Sequence, residues 1–206
     1  MTFNIAPAAW QFASLLGLSL LLLVALRFDL TRRRIPNQLV LLIFFTGLLV
    51  NLVGPQTQAG SVAGSLDGLV AVDPSALGVQ GAMVGGLVSL LCFIPFYAVG
   101  VMGAGDVKLM AGIGSFVGST AVLNIALFVL VAGGVLALAR MAWAGKSRLV
   151  MFNVMMALAQ VLPGSMARFD PLTQSADRMP YAAAILGGFL SYCLWILGGH
   201  SPLIRL

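Results

Sequence analysis

Only six side chains in this 206-residue sequence are acidic, and all six are aspartates: Asp29, Asp67, Asp73, Asp106, Asp170 and Asp177. Asp67 and Asp73 stand in a stretch rich in Gly, Ser and Pro that holds no base, which reads as solvated loop. Asp170 and Asp177 neighbour Arg168 and Arg178, so a loop ion pair or plain solvation accounts for them. Asp29 and Asp106 differ because each directly follows an apolar run, and acids near membrane depth are costly and tend to mark function. Two carboxylates a few ångströms apart cannot both ionise cheaply, so such a pair shares a proton. The ionised member then takes a proton from water, and the protonated member donates to a carbonyl oxygen as charge develops there. That is the chemistry of amide hydrolysis. On spacing alone, structural roles stay open. Asp29 also balances the bases Arg27 and Arg32 to Arg34, and Asp106 also suits a helix N-cap, with Lys108 as a juxtamembrane base. Gly103 and Gly105 remove side chains beside Asp106 and permit close approach of another chain.

The elements that must position these acids are membrane-spanning helices. Sixty percent of the residues are apolar, 8% are charged and the mean hydropathy is +1.05, whereas soluble domains are about a quarter charged. Several apolar runs reach the ~20 residues needed to cross hydrocarbon. The sequence reads as an all-α, polytopic transmembrane bundle of about six spans, one of them short, forming a single domain over residues 1–206. The first span covers about Ala8 to Leu26 and ends on Arg27 and Arg32 to Arg34. Short Arg-rich loops stay in the cytoplasm, which puts the N-terminus outside. Pro36 opens a second span, Gln38 to Val53, because proline is tolerated in a first turn and forces Ile35 into an extended conformation. Gly54 to Gln80 holds no base and belongs outside. A third span, Gly81 to about Val101, returns to the cytoplasm with Pro95 kinking it. Leu109 to Met141, broken by Gly112, Gly114, Gly118, Gly133 and Gly134, is expected to form a short fourth helix and a complete fifth. Leu149 to Leu162 is too short to span and suits the interface, and Pro180 opens a last span to about Leu197. Two crossings separate Asp29 from Asp106, so both belong at the same membrane face.

Other functions lack support. The net charge of +5 and pI near 9.9 come from bases set beside apolar runs, which fits topology and attraction to anionic lipid rather than nucleic acid. Cys92 and Cys193 form no CxxC pair, so neither a zinc ribbon nor a redox centre is indicated. His200 stands alone near the C-terminus, expected on the outer side, with no partner for a serine nucleophile. No cofactor and no metal is required.

The combination of strings resembles one family. Phe28-Asp29-Leu30-Thr31-Arg32-Arg33-Arg34-Ile35-Pro36-Asn37 resembles the first signature of the type IV prepilin peptidases, an Asp followed by a basic cluster and Ile-Pro-Asn. Gly103-Ala104-Gly105-Asp106-Val107-Lys108-Leu109 is similar to their second signature, Gly-x-Gly-Asp-x-Lys. The Met179-Pro180-Tyr181-Ala182 opening of the last span resembles a further, less specific feature. The resemblance extends over about Leu16 to Leu197.

The resemblance implies an aspartic endopeptidase with Asp29 and Asp106 catalytic and with Arg33, Pro36, Asn37, Gly103, Gly105 and Lys108 supporting them. Its implied substrates are prepilins, each a short leader followed by a long apolar helix, cut at the cytoplasmic face of the bacterial inner membrane. Larger members add a cytoplasmic insertion with paired CxxC motifs and methylate the new N-terminus. This sequence has neither, and so resembles the short branch serving tight-adherence (Flp-type) pili. The contrasting expectation is a non-catalytic membrane scaffold of a pilus or secretion machine. A transporter would want acids at mid-membrane, and a presenilin-like protease shares Gly-x-Gly-Asp but not the Arg-Arg-Arg-Ile-Pro-Asn string. Oligomeric state is not legible.

Overall fold

The computed structural model describes residues 7–54, 78–98, 102–144 and 181–204, and over these it is all-α. Five helical elements follow in order: α1 (Pro7–Arg32), α2 (Asn37–Val53), α3 (Gly78–Ala98), α4 (Ala104–Ala144) and α5 (Tyr181–Leu197). Stretches in α1, α3 and α4 are long and apolar enough to cross a bilayer: Ala9–Arg32, Gly78–Ala98 and Ala104–Ala139. The 17-residue α2 and α5 are apolar but shorter. Leu20, Phe45, Leu91, Leu138 and Leu194, one from each helix, stay exposed on the outside of the bundle. A surface this apolar matches lipid rather than water. The expected interfacial segment Leu149 to Leu162 and the acids Asp67, Asp73, Asp170 and Asp177 lie outside the described residues, as does most of the loop expected over Gly54 to Gln80.

The first turn of structure that departs from the sequence reading is the end of α1. A loop was expected from Arg27, but the helix continues to Arg32 and carries Asp29 in its last turns. Nothing between Leu26 and Arg32 breaks a helix, since Arg and Leu are good helix formers, and the Thr31 hydroxyl donates back to Arg27 O at 2.7 Å. Termination comes at Arg33, whose φ of 50° is left-handed and whose N–H bonds to Asp29 O at 2.9 Å, an αL cap on the helix. Pro36 then lies in extended conformation and its carbonyl accepts the N–H groups of Leu39 and Val40. Its ring fixes the angle at which α2 starts. In α3 the helix begins three residues before the expected Gly81 and passes through Pro95 to Ala98.

α4 is not one rod. At Gly118 the backbone takes φ 81°, ψ 179°, a conformation open to glycine and strained for other residues. Tyr181 lies within electrostatic reach of Asp106, while its hydroxyl sits against Gly133. An unbroken helix would hold Asp106 and Gly133 roughly 40 Å apart. The chain therefore doubles back at Gly118, with residues 104–117 running away from Asp106 and residues 119–144 returning. The outgoing limb fills the centre of the bundle, where Leu109, Met110, Ile113 and Val117 are completely shielded.

A break inside an apolar bundle frees carbonyls that must find donors. Asn51 of α2 supplies them: its buried amide donates to Ser115 O at 2.9 Å and Phe116 O at 3.2 Å. On the returning limb, Asn124 exchanges hydrogen bonds with Ile204, donating to its carbonyl and accepting its N–H. Small residues let the backbones close in around the turn. A Cβ on Gly85 of α3 would meet Gly114 O and the Gly118 backbone, so α3 and α4 cross at glycine-to-glycine contact, the close approach typical of membrane helices.

Candidate active site

One end of this bundle collects the last turns of α1, the first turns of α2, α4 and α5, and Gly133 on the returning limb of α4. Asp29 is 9% exposed there, and its Oδ2 accepts the backbone N–H of Ala182 at 3.1 Å. Ala182 is the second residue of α5, so its N–H is one of the donors that a helix start leaves without an internal partner. The positive end of the α5 dipole therefore faces the carboxylate. Asp106 occupies the first turn of α4, and its own N–H bonds to Gly103 O at 3.1 Å. The two carboxyl groups interact electrostatically with each other, and Asp106 does so with Tyr181 as well. The structure thus brings together two acids that stand on different helices, with α2 and α3 between them in sequence.

Around the pair, the two sequence strings touch at two points. Ile35 packs on Gly105, where a Cβ would lie 3.5 Å from the Ile35 Cβ, an ordinary contact. Lys108 Nζ donates to Asn37 Oδ1 at 3.3 Å on the exposed rim. Pro36, between Ile35 and Asn37, sets the turn that lets both contacts form. Gly103 has a sharper role. A Cβ there would come within 3.0 Å of Asp106 Oδ2, so the carboxylate lies back over Gly103 and would have to give way to a side chain at that position. Arg33 acts through its backbone as the α1 cap, with its side chain exposed. Arg32 lays its guanidinium over the Phe28 ring at 5.5 Å, a cation–π contact that ties the basic cluster to the helix.

Three contributors were not legible as site residues. Ala182 acts through its backbone, which no side-chain pattern reveals. Tyr181 stood out only as part of the string opening the last span. Gly133 read as one helix-weakening glycine among several, yet its missing side chain makes room for the Tyr181 hydroxyl, which a Cβ would meet at 2.8 Å. His200, by contrast, is stacked on Trp195 with ring centroids 4.2 Å apart, and its Nδ1 lies 3.1 Å from the Trp195 carbonyl oxygen, which accepts from it. It belongs to a hook at the far end of α5.

A buried carboxylate and a half-buried one on separate helices, with a backbone donor on the first, are groups of the kind that acid–base chemistry uses. Comparison with protein families bears on what they act upon. The chain matches the type IV leader peptidase family over residues 15–138, a stretch that holds Asp29, Asp106, both strings and the Gly118 turn. Comparisons with curated proteins and with solved structures return no match. Because the match covers more than half of the sequence, the chain belongs to the type IV leader peptidase family.

Proposed function

We propose that this chain is a membrane-embedded aspartic endopeptidase that removes the leader of type IV prepilins of the Flp type, with Asp29 and Asp106 as its catalytic pair. Family membership supports leader peptidase activity and prepilins as the general substrate class. The observation that carries the catalytic assignment is that Asp29 and Asp106 lie at the same end of the bundle, near enough for the charge of one to act on the other. One carboxylate removes a proton from water, whose oxygen attacks the scissile carbonyl. The other, protonated, donates to the carbonyl oxygen. Collapse of the tetrahedral intermediate breaks the C–N bond, the departing nitrogen takes a proton, and the leader leaves as a carboxylate.

Membrane placement follows from charge and helix count. Arg27, Arg32, Arg33, Arg34 and Lys108 are exposed at the same end as the acids, which is the pattern of a cytoplasmic face. The topology proposed has six passes, with the two limbs of α4 counted separately and the outgoing limb as the short one. The N-terminus then lies outside and the acid pair at the inner surface of the cytoplasmic membrane, as a single domain over residues 1–206. A substrate whose apolar helix is parked in the bilayer presents its leader junction at this level. Backbone at such depth must be covered by protein or water to be extended for cleavage. The absence of a CxxC insertion from the sequence leaves methylation of the new N-terminus outside the proposal.

Co-expression of the chain with tagged type IV prepilins, with the pilin mass read before and after, tests this. A single cut just ahead of the apolar helix, dependent on the chain, is expected. Unchanged precursor at the level of cells lacking the chain would overturn the substrate assignment.

A further inference from the structure

α2 and the outgoing limb of α4 are pinned to each other at both ends. At the acid end, Ile35 packs on Gly105 and Lys108 Nζ donates to Asn37 Oδ1 at 3.3 Å. At the other end, Asn51 Nδ2 donates to Ser115 O at 2.9 Å and to Phe116 O at 3.2 Å, just short of the Gly118 turn. The two therefore share one height, and that height is small. α2 has 17 residues, Asn37–Val53, and so measures ~25 Å along its axis, against ~30 Å for ordinary bilayer hydrocarbon. Asn37 and Gln38 are exposed at one end of it, and the backbone leaves the helix at Gly54 at the other. Between them Leu41, Phe45, Leu49 and Val53 form an exposed apolar stripe. We propose that the bilayer is thinned to match this side of the bundle, so that the protein is fitted to phospholipids with short acyl chains. This inference rests on the membrane placement proposed above.

A helix longer than the hydrocarbon tilts, whereas a shorter one thins the bilayer, reaches the interface through long flanking side chains, or packs on further protein. The stretch Ala9–Arg32 of α1, at 24 residues, has length to spare. α2 has none, and α5, also 17 residues long, is no longer. Lipid-exposed backbone outside a helix is not tolerated in hydrocarbon, so the chain must reach the interface at both Pro36 and Gly54. Arg34 can extend the inner end, but residues 54–80 contain no Lys or Arg to do so at the outer one. The lipid is what adjusts. For the site the consequence is one of depth, because Asp106 opens the short limb. A prepilin helix long enough for an ordinary bilayer would stand ~5 Å proud of the thinned one. That lifts its leader junction out of hydrocarbon to the level of the acids.

The test reconstitutes the full chain in vesicles of monounsaturated phosphatidylcholine with a fixed fraction of phosphatidylglycerol, the acyl chains running from about 14 to about 22 carbons. The thermal unfolding midpoint and the initial rate of processing of a tagged type IV prepilin are read in each. Both are expected to be highest at about 14 to 16 carbons, with the rate falling about tenfold by the longest chains. Inserting four leucines between Val53 and Gly54 adds about one turn, ~6 Å, to α2 and is expected to move the peak in unfolding midpoint to longer chains. Midpoints that are level across the series, or highest in the longest chains, would overturn the thinning, as would a peak that the insertion leaves in place. Crosslinking of Leu49→Cys to a second copy in every bilayer would overturn it too, by giving the stripe to protein instead of lipid. Midpoints that peak at short chains while processing is absent in every bilayer would uphold the thinning and overturn the leader peptidase reading.

Discussion

The carboxylate of Asp29 accepts a hydrogen bond from the backbone N–H of Ala182, 153 residues later in the chain. That contact closes the bundle on itself, joining the first helix to the last at the end where Asp106 begins α4. It also separates the settings of the two acids: Asp29 takes a backbone N–H from the first turn of another helix, whereas the Asp106 carboxyl takes its backbone hydrogen bond from Gly103, just ahead of its own helix.

The glycines of the second string should not be equivalent. Alanine at Gly103 would place its Cβ 3.0 Å from Asp106 Oδ2 and force the carboxylate aside. Misplacement of a catalytic group by a fraction of an ångström to 1 Å costs up to roughly a hundredfold. Gly103→Ala is therefore expected to lower prepilin cleavage by about tenfold to a hundredfold with little change in thermal stability. Gly105→Ala meets only ordinary contacts with Ile35 and should retain cleavage within about threefold of the unaltered chain, a difference that paired initial-rate measurements resolve.

Asn51 should matter for folding rather than for chemistry. Leucine there would leave Ser115 O and Phe116 O, both at the α4 break, without the donor they now share. Leaving buried carbonyls unsatisfied costs about 1–3 kcal/mol. Asn51→Leu should unfold at lower temperature in detergent, while the KM of the surviving folded fraction stays unchanged.

Crowding the α3–α4 crossing is predicted to be worse still. Gly85→Val would drive a branched side chain into the Gly114 carbonyl and the Gly118 backbone. Overpacking costs typically 1–3 kcal/mol even where neighbours can move, and here the neighbours are backbone. The expected result is poor accumulation of folded protein in membranes, read by detergent extraction and size-exclusion chromatography, with Gly134→Ala, which meets nothing within 4 Å, as the harmless comparison.

Cleavage should follow a bell-shaped pH profile. Below the lower pKa of the acid pair both carboxyls are protonated and no base remains. Above the upper one both are ionised and no acid remains. Rate should fall on both sides, and single-turnover cleavage in proteoliposomes across pH would show it. A flat profile between these limbs and strongly alkaline pH would speak against a shared proton.

Much of this arrangement was legible in the sequence because charge is so scarce. With six acids in the chain, the parity of crossings between Asp29 and Asp106 was enough to put them at one face, and Pro36 announced the start of α2. The double helix expected over Leu109 to Met141 corresponds to the two limbs of α4. The turning point was not legible, because five glycines in that stretch are equivalent in sequence and only Gly118 among them adopts a positive φ. The end of α1 was misjudged because a basic run marks a membrane boundary without breaking a helix. Ala182 escaped notice for a different reason: its contribution is a backbone N–H whose value depends on where α5 docks, and docking is set by packing such as Gly188 on Val129.

Cleavage of a tagged prepilin by purified Asp29→Asn, Asp106→Asn and doubly substituted protein in proteoliposomes addresses the acid pair most directly. Each single substitution is predicted to cut the rate by at least about a thousandfold, within the range of general acid–base catalysis, and the double substitution to add little, since the two act as a unit. Cleavage at the same bond persisting in both folded single variants would contradict the account.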